Sequence, residues 1–312
     1  MKTGLLLPAW SHAVDGATLN TRALLDFAAQ AVAAGFQSLW VSDHFLNEPY
    51  LDYAAVDIRF PEEYRGVKSG QWECWSLMAA LAARIPAVTL GTLVTNTAFR
   101  NPALLARIID TVDDISGGRV VAGLGAGDFA TEHRAFGYDF ERPIARFEEA
   151  LSVIRPLLRG ETLTHHGEFY RTEGATLMPK SLRPAGPPIM IGLLRGGPRM
   201  LRLVAEYADQ WNCMLPFSDS RVASYLPISE RVRAACEKHD RDPATLARNV
   251  TVGVCLAENY PLPGARPLRG STQQLIDACA AFKAEGVETL SMVIEPCTGA
   301  TLDALAPVLA AL

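Results

Sequence analysis

The chain has 312 residues, 49% of them hydrophobic, which is enough for one large core or two smaller ones. Its net charge is −5 and no run of lysine and arginine forms a basic stripe, so nucleic acid is not an expected partner; no apolar stretch is long enough to span a bilayer. Six scattered cysteines form no Cys-x-x-Cys pair, and six histidines show no His-Glu-x-x-His spacing. The cysteines are therefore expected as buried thiols in a reducing cytosol, with neither disulfides nor a metal site.

The N-terminus, from Met1 to Pro8, is too short and too soon broken for a signal peptide and reads as a first strand. Short apolar runs then alternate with amphipathic helical patterns. Strands are predicted at 4–8, 38–42, 88–94, 119–124, 188–192, 210–214, 250–257 and 289–294. Helices are predicted at 20–34, 74–84, 102–115, 142–158, 198–208, 224–238 and 271–284. Near-continuous hydrophobic runs of this length suit strands buried on both faces of a parallel sheet. Eight of them, about 40 residues apart, predict a (β/α)8 barrel. A doubly wound open sheet is the alternative.

The helix after the third strand shows the local logic. Asn101 caps it, Pro102 suits its first turn, and Gly117-Gly118 ends it. Leu104, Leu105, Ile108, Ile109, Val112 and Ile115 are predicted to share one face. Two segments exceed a minimal barrel. One runs from Leu46 to Gln71 after the second strand; the other runs from Glu161 to Pro187 before the fifth and carries a hairpin signal at Gly167-Glu168-Phe169-Tyr170. Long insertions in compact domains are usually lids or binding loops. No repeat or flexible linker divides the chain, so residues 1–312 read as one domain.

Barrel active sites lie at the C-terminal ends of the strands, and that rule selects the residues to inspect. Strand two ends in Ser42-Asp43-His44-Phe45. His44 suits acid/base work because its ordinary pKa lies near neutrality, and Asp43 can bind a ligand N–H or hydroxyl; a structural Asp-His pair is the other reading. Strand three ends in Gly91-Thr92-Leu93-Val94-Thr95-Asn96, where Gly91 suggests a bulge or close backbone approach. Thr95 and Asn96 offer polar contacts or cap the next turn. Strand four runs into Gly123-Leu124-Gly125-Ala126-Gly127-Asp128. Its alternate glycines let backbone lie flat against a planar or anionic ligand, with Asp128 at the rim. Strand five leads to Arg195-Gly196-Gly197 before a helix at Pro198, a combination suited to phosphate. Trp10, Trp72 and Trp211 lie at strand ends or rim loops, where aromatics can wall a substrate, although Trp211 equally suits the core. Glu132 and His133 follow Asp128 on a helix start, where Glu132 reads most simply as a cap.

In order and spacing these motifs resemble the luciferase-like monooxygenase superfamily. The telling pieces are Ser42-Asp43-His44-Phe45, Gly91 to Thr95, Asn101-Pro102-Ala103, Ser116-Gly117-Gly118-Arg119, Gly123 to Gly127, Glu132 to Gly137, Ala205 to Asp209, and the segment from Gly270 to Val287. The resemblance covers almost the whole chain and is strongest to the coenzyme F420-dependent oxidoreductases. It implies a (β/α)8 barrel holding F420, or alternatively FMN, and usually a homodimer in the cytoplasm.

It further implies that His44 sits beside the deazaflavin, and that Asp128 occupies the place of an acidic proton donor. A non-prolyl cis peptide would fall at Leu93-Val94 within the cofactor cradle of Leu93, Val94, Thr95 and Asn96. Gly192 to Gly197 would hold the cofactor phosphate. Asp128 is shorter than the glutamate of some relatives, and Leu193-Leu194 departs from the usual glycine-rich stretch. The expected activity is hydride transfer to or from a small-molecule substrate. The alternatives are an FMN-dependent monooxygenase supplied by a partner flavin reductase, and a flavin-binding protein without turnover. A phosphate-sugar isomerase on the same fold lacks the strand-end lysine or carboxylate pair it would need.

Overall fold

A computed structural model of the chain describes residues 1–11, 19–53, 60, 62–194, 196–216, 218–258 and 264–312. Eight parallel strands form its centre: β1 Lys2–Leu6, β2 Ser38–Val41, β3 Thr89–Thr92, β4 Val120–Gly125, β5 Ile189–Leu193, β6 Gln210–Met214, β7 Ala247–Cys255 and β8 Thr289–Glu295. Each pairs with the next, and β8 pairs with β1, so the sheet closes. Closure makes this a (β/α)8 barrel and rules out the open doubly wound sheet. The strands fall on the apolar runs. Only β7 starts well ahead of its run, because Ala247 and the polar Arg248 and Asn249 pair with 210–212.

The helical layer comprises α1 Thr21–Ala34, α2 Cys74–Arg84, α3 Pro102–Ser116, α4 Ala130–Phe136, α5 Pro143–Leu158, α6 Pro198–Tyr207, α7 Val222–Lys238, α8 Thr272–Ala284 and α9 Gly299–Ala310. Asn101 caps α3 by accepting from the N–H groups of Ala103 and Leu104, and Gly117 ends it at φ +70°. The buried stripe of α3 differs from the expected one. Leu105, Ile109 and Val112 are buried, whereas Leu104 and Ile115 are exposed. Asp110 and Asp113 take inward positions too, beside Ala106 and Ser116. Asp113 accepts from Arg183 and from the Val120 N–H, and Asp110 from Arg107 and the Ser181 N–H, so the segment before β5 is anchored over that face.

The barrel interior is filled by an indole. Trp40 is almost fully buried with Leu6, Leu93, Val121 and Met190. It fits because two neighbouring strands carry glycine: a Cβ at Gly91 would lie 2.2 Å from the Trp40 ring, and one at Gly4 would lie 2.5 Å from its Nε1. The close approach expected at Gly91 is thus made by Trp40.

The glycines of β4 make room for a neighbouring segment of the chain. A Cβ at Gly123 would lie 1.8 Å from the Thr92 carbonyl oxygen, and one at Gly125 would lie 2.6 Å from Val94 Cγ2. Their missing side chains make room for the end of β3, where the chain turns inward through a cis peptide between Leu93 and Val94.

Both insertions are ordered where described. The first has a short antiparallel pair, Leu46–Asn47 with Ser69–Gly70, and one helical turn at Pro49–Asp52. The second forms the expected hairpin, Leu163–His166 with Arg171–Ala175. Glu149 of α5 pins it by accepting from the N–H groups of Glu168, Phe169 and Tyr170. All six cysteines are buried and none is joined in a disulfide. Among the described residues, no helix is long and apolar enough to cross a membrane.

Candidate functional site

Four segments converge at the C-terminal ends of β2, β3 and β4. The loop after β2 carries Asp43 and His44; the extension of β3 carries Thr95 and Asn96; the loop after β4 carries Asp128; and α4, which follows it, carries Glu132 and His133. His44 donates from Nδ1 to Glu132 Oε1 at 2.9 Å. The other oxygen of Glu132 accepts from the Phe45 N–H at 2.8 Å and the Leu46 N–H at 3.4 Å. Phe129 stacks on the imidazole, with ring centroids 4.6 Å apart. The ring is therefore held on one face and one edge, and it remains 24% exposed while Glu132 is fully buried. Asp128 completes the group: one ligand atom from each of His44, Asp128 and Glu132 lies within 4.8 Å of the others. His44 and Glu132 are hydrogen-bonded to each other, and Asp128 stands beside them as a further charge.

The electrostatics follow from this arrangement. Burial pulls the His44 pKa down, but the Glu132 hydrogen bond and the charges of Asp128, Glu132 and Asp43 outweigh it and raise the value to about 9. Asp128 reaches solvent at the mouth, yet it is ringed by protein. Loss of surrounding water raises its carboxyl above the ordinary aspartate value; His44 opposes this and Glu132 adds to it. Tyr53, from the first insertion, packs its ring 5.1 Å from Phe129. Burial and then the charges of Asp128 and Asp52 raise its hydroxyl pKa.

Behind His44 stands a second charged group. Asp43 is buried and takes two hydrogen bonds from Arg100, at 2.6 and 3.0 Å, and one from the Asn96 N–H. Arg100 also pairs with Glu73, whose carboxylate caps α2. Asp43 thus uses its carboxylate to hold the loop, as in the structural alternative. Asn96 is likewise occupied. Its oxygen accepts from the Ala98 N–H, and its amide donates to His133 Nε2 at 2.9 Å. His133 donates from Nδ1 to the Asp139 carbonyl oxygen, and burial lowers its pKa.

The remaining expected residues divide between mouth and wall. Trp10 and Val94 pack with Met214 and Val293 on the apolar interior cluster that contains Leu93. Val94 fills the space over Gly125 and Gly192, and the Asn96 amide fills that over Gly127. Ala126 is half-buried. The Thr95 hydroxyl is buried and has no hydrogen-bond partner among the described residues. Gly196, at φ +61°, and Gly197 open α6, which has no side-chain cap. Arg195 lies outside the described residues. Trp72 is exposed and donates its indole N–H to the Leu19 carbonyl.

Trp211 corrects the substrate reading. It is 1% exposed and stacks on Tyr225 of α7, 5.9 Å between centroids, so it belongs to the packing between barrel and helices. Glu132, Arg100 and Phe129 carry weight that sequence reasoning did not give them. Glu132 lies within one of the motifs that marked the resemblance, but the cap reading took it away from His44.

Residues 1–260 match the family described as luciferase-like monooxygenase. A phthiodiolone/phenolphthiodiolone dimycocerosates ketoreductase of Mycobacterium bovis is 31% identical over 241 residues, covering 74% of this chain and 60% of the relative. The match therefore spans only about three fifths of that relative's length. Among solved structures, an F420-dependent secondary alcohol dehydrogenase in complex with an F420-acetone adduct superposes with a TM-score of 0.75 at 17% identity, covering 99% of this chain and 98% of the other. An EDTA monooxygenase from Chelativorans sp. BNC1 does so with a TM-score of 0.75 at 14% identity, covering 99% and 93%. At these identities the structures support the fold; with the sequence matches, they make this protein a member of the luciferase-like monooxygenase family.

Proposed function

We propose that the protein is a flavin-type oxidoreductase that binds coenzyme F420 and transfers hydride to or from a small organic substrate, with His44 and Asp128 as its catalytic residues. The observation that carries this reading is His44 held at the strand-two rim within 4.8 Å of Asp128, beside an apolar barrel mouth. The mouth suits a planar ring: Trp10, Val94, Met214 and Val293 supply apolar surface, and the Thr95 hydroxyl is a buried polar group left for a ligand to satisfy. The uncapped N-terminus of α6 at Gly196 and Gly197 suits the cofactor phosphate.

When bound, the deazaflavin supplies hydride chemistry at a carbon centre that reacts poorly with oxygen. The chain's own residues orient the reactants, keep water from them and move protons. His44 gives or takes a proton through Nε2, since Nδ1 is committed to Glu132. Asp128, with its raised pKa, is suited to carry a proton beside His44.

The family's own description supports a second reading, an FMN-dependent monooxygenase fed by a partner flavin reductase. Titrating the purified protein with F420 and with FMN, followed by fluorescence, separates the two. Saturable F420 binding is expected. FMN binding with no F420 binding rejects the deazaflavin reading, and binding of neither rejects both.

A further inference from the structure

The cluster at the rim contains one acid that no ligand can reach. Glu132 is fully buried, and its only described partners are His44 Nδ1 and the backbone N–H groups of Phe45 and Leu46. We propose that Glu132 is the positioning residue of the site: it fixes His44 with Nδ1–H turned inward and supplies the counter-charge beside the ring, so that Nε2 is the nitrogen presented to the mouth.

The geometry carries this in two steps. A carboxylate only accepts, so the 2.9 Å contact puts a proton on Nδ1 and leaves Nε2 as the nitrogen free for chemistry. The same carboxylate is anchored to the chain immediately after His44, so the imidazole and its counter-charge move together. Phe129, stacked on the ring, blocks rotation out of that contact.

The charges around His44 come from every neighbouring element. Glu132 and His133 lie on α4, and Asp128 in the loop before it. Asp43 lies on His44's own loop. Asp52 and Tyr53 lie on the insertion, with the Thr131 N–H reaching Asp52 at 3.4 Å. Arg100 and Glu73 stand behind Asp43. Arg100 is bound to two acids and His133 is held neutral by burial, which leaves acids as the dominant influence on the ring. A pKa near 9 agrees with that balance.

Glu132 adds a role to the proposed function without depending on the cofactor, because the test reads the ring itself. The experiment is a histidine-imidazole 15N NMR titration of the full chain without cofactor, with His44→Gln used to assign the signal. In the wild type the ring should titrate near pH 9 and above that pH keep its proton on Nδ1. In Glu132→Gln the midpoint should fall by about 1–3 units, the range for losing an adjacent opposite charge. A wild-type midpoint at the ordinary histidine value, an Nε2–H tautomer at high pH, or an unmoved midpoint in a folded Glu132→Gln protein overturns the proposal. Should that variant fail to fold, the wild-type tautomer decides alone. Loss of F420 binding with these signals intact would reject the cofactor reading and leave Glu132's role standing.

Discussion

Two groups of buried polar side chains lie in this barrel, and they are built on opposite plans. At the rim of β2 and β4, the acids Glu132 and Asp43 face His44 and Arg100 across charged hydrogen bonds, and the group opens to solvent at His44 and Asp128. Across β6, β7 and β8, Asn212, Asn249, Thr251 and Ser291 are sealed and neutral. Asn212 donates to Asn249 and Thr251, and Ser291 donates to Asn249. Charge is expensive to bury and stays here where it is paired, as at Glu132 and Asp43 and, on α3, at Asp113; the neutral group is only partly satisfied, since Asn212 Oδ1 and Asn249 Nδ2 have no hydrogen-bond partner among the described residues. The contrast separates a charged, ion-paired group that reaches solvent from a neutral one that does not.

The largest expected effect tests the charged side. His44→Ala should lower turnover about 10²–10⁴-fold, the range for losing a general acid or base, with the cofactor dissociation constant within a few-fold. Steady-state kinetics with a binding titration measure both, and unchanged turnover would reduce the rim group to architecture. Arg100→Leu comes next. It leaves the Asp43 carboxylate buried without its partner, and chemical denaturation should record a loss of about 3–5 kcal/mol. A loss under 1 kcal/mol would mean that solvent reaches Asp43 and that the loop is not held as described (the usual scale of exposed pairs).

The smallest effect belongs to the neutral group. Asn249→Ala removes the acceptor of two hydrogen bonds and should cost about 1–3 kcal/mol in the same assay while turnover stays within a few-fold. A hundredfold drop in turnover there would erase the distinction between the groups.

Most of the barrel was legible in the sequence, since strands buried on both faces read as uninterrupted apolar runs and Asn101, Pro102 and Gly117 mark helix ends directly. What escaped did so for physical reasons. A barrel strand is buried inside and out, so composition does not say which way a side chain points. Alternation puts Trp211 under α7 and its neighbour Asn212 in the interior, the reverse of a simple apolar-inside rule. Helix α9 carries Pro307 within its span and a first residue of glycine, which obscure its helical pattern. At the site, His44 and Asp128 stood out by position at strand ends. The partnership of His44 with Glu132 joins residues 88 positions apart and becomes visible only when β2 and α4 are side by side. Asp43 and Asn96 were legible as polar rim residues, but their occupation by Arg100 and His133 was not.

Val94 has a consequence for how the mouth can be reshaped. Its two methyls lie over Gly125 and Gly192, where an added Cβ would come within 2.6 and 2.9 Å of them. Val94 is therefore a wedge seated in a slot that neighbouring strands leave empty. A methyl added at either glycine would push that wedge out of its slot, and trimming Val94 would leave the slot unfilled. If Val94 meets the cofactor as proposed, its reach toward that ligand is set from behind, by glycines that present no side chain of their own.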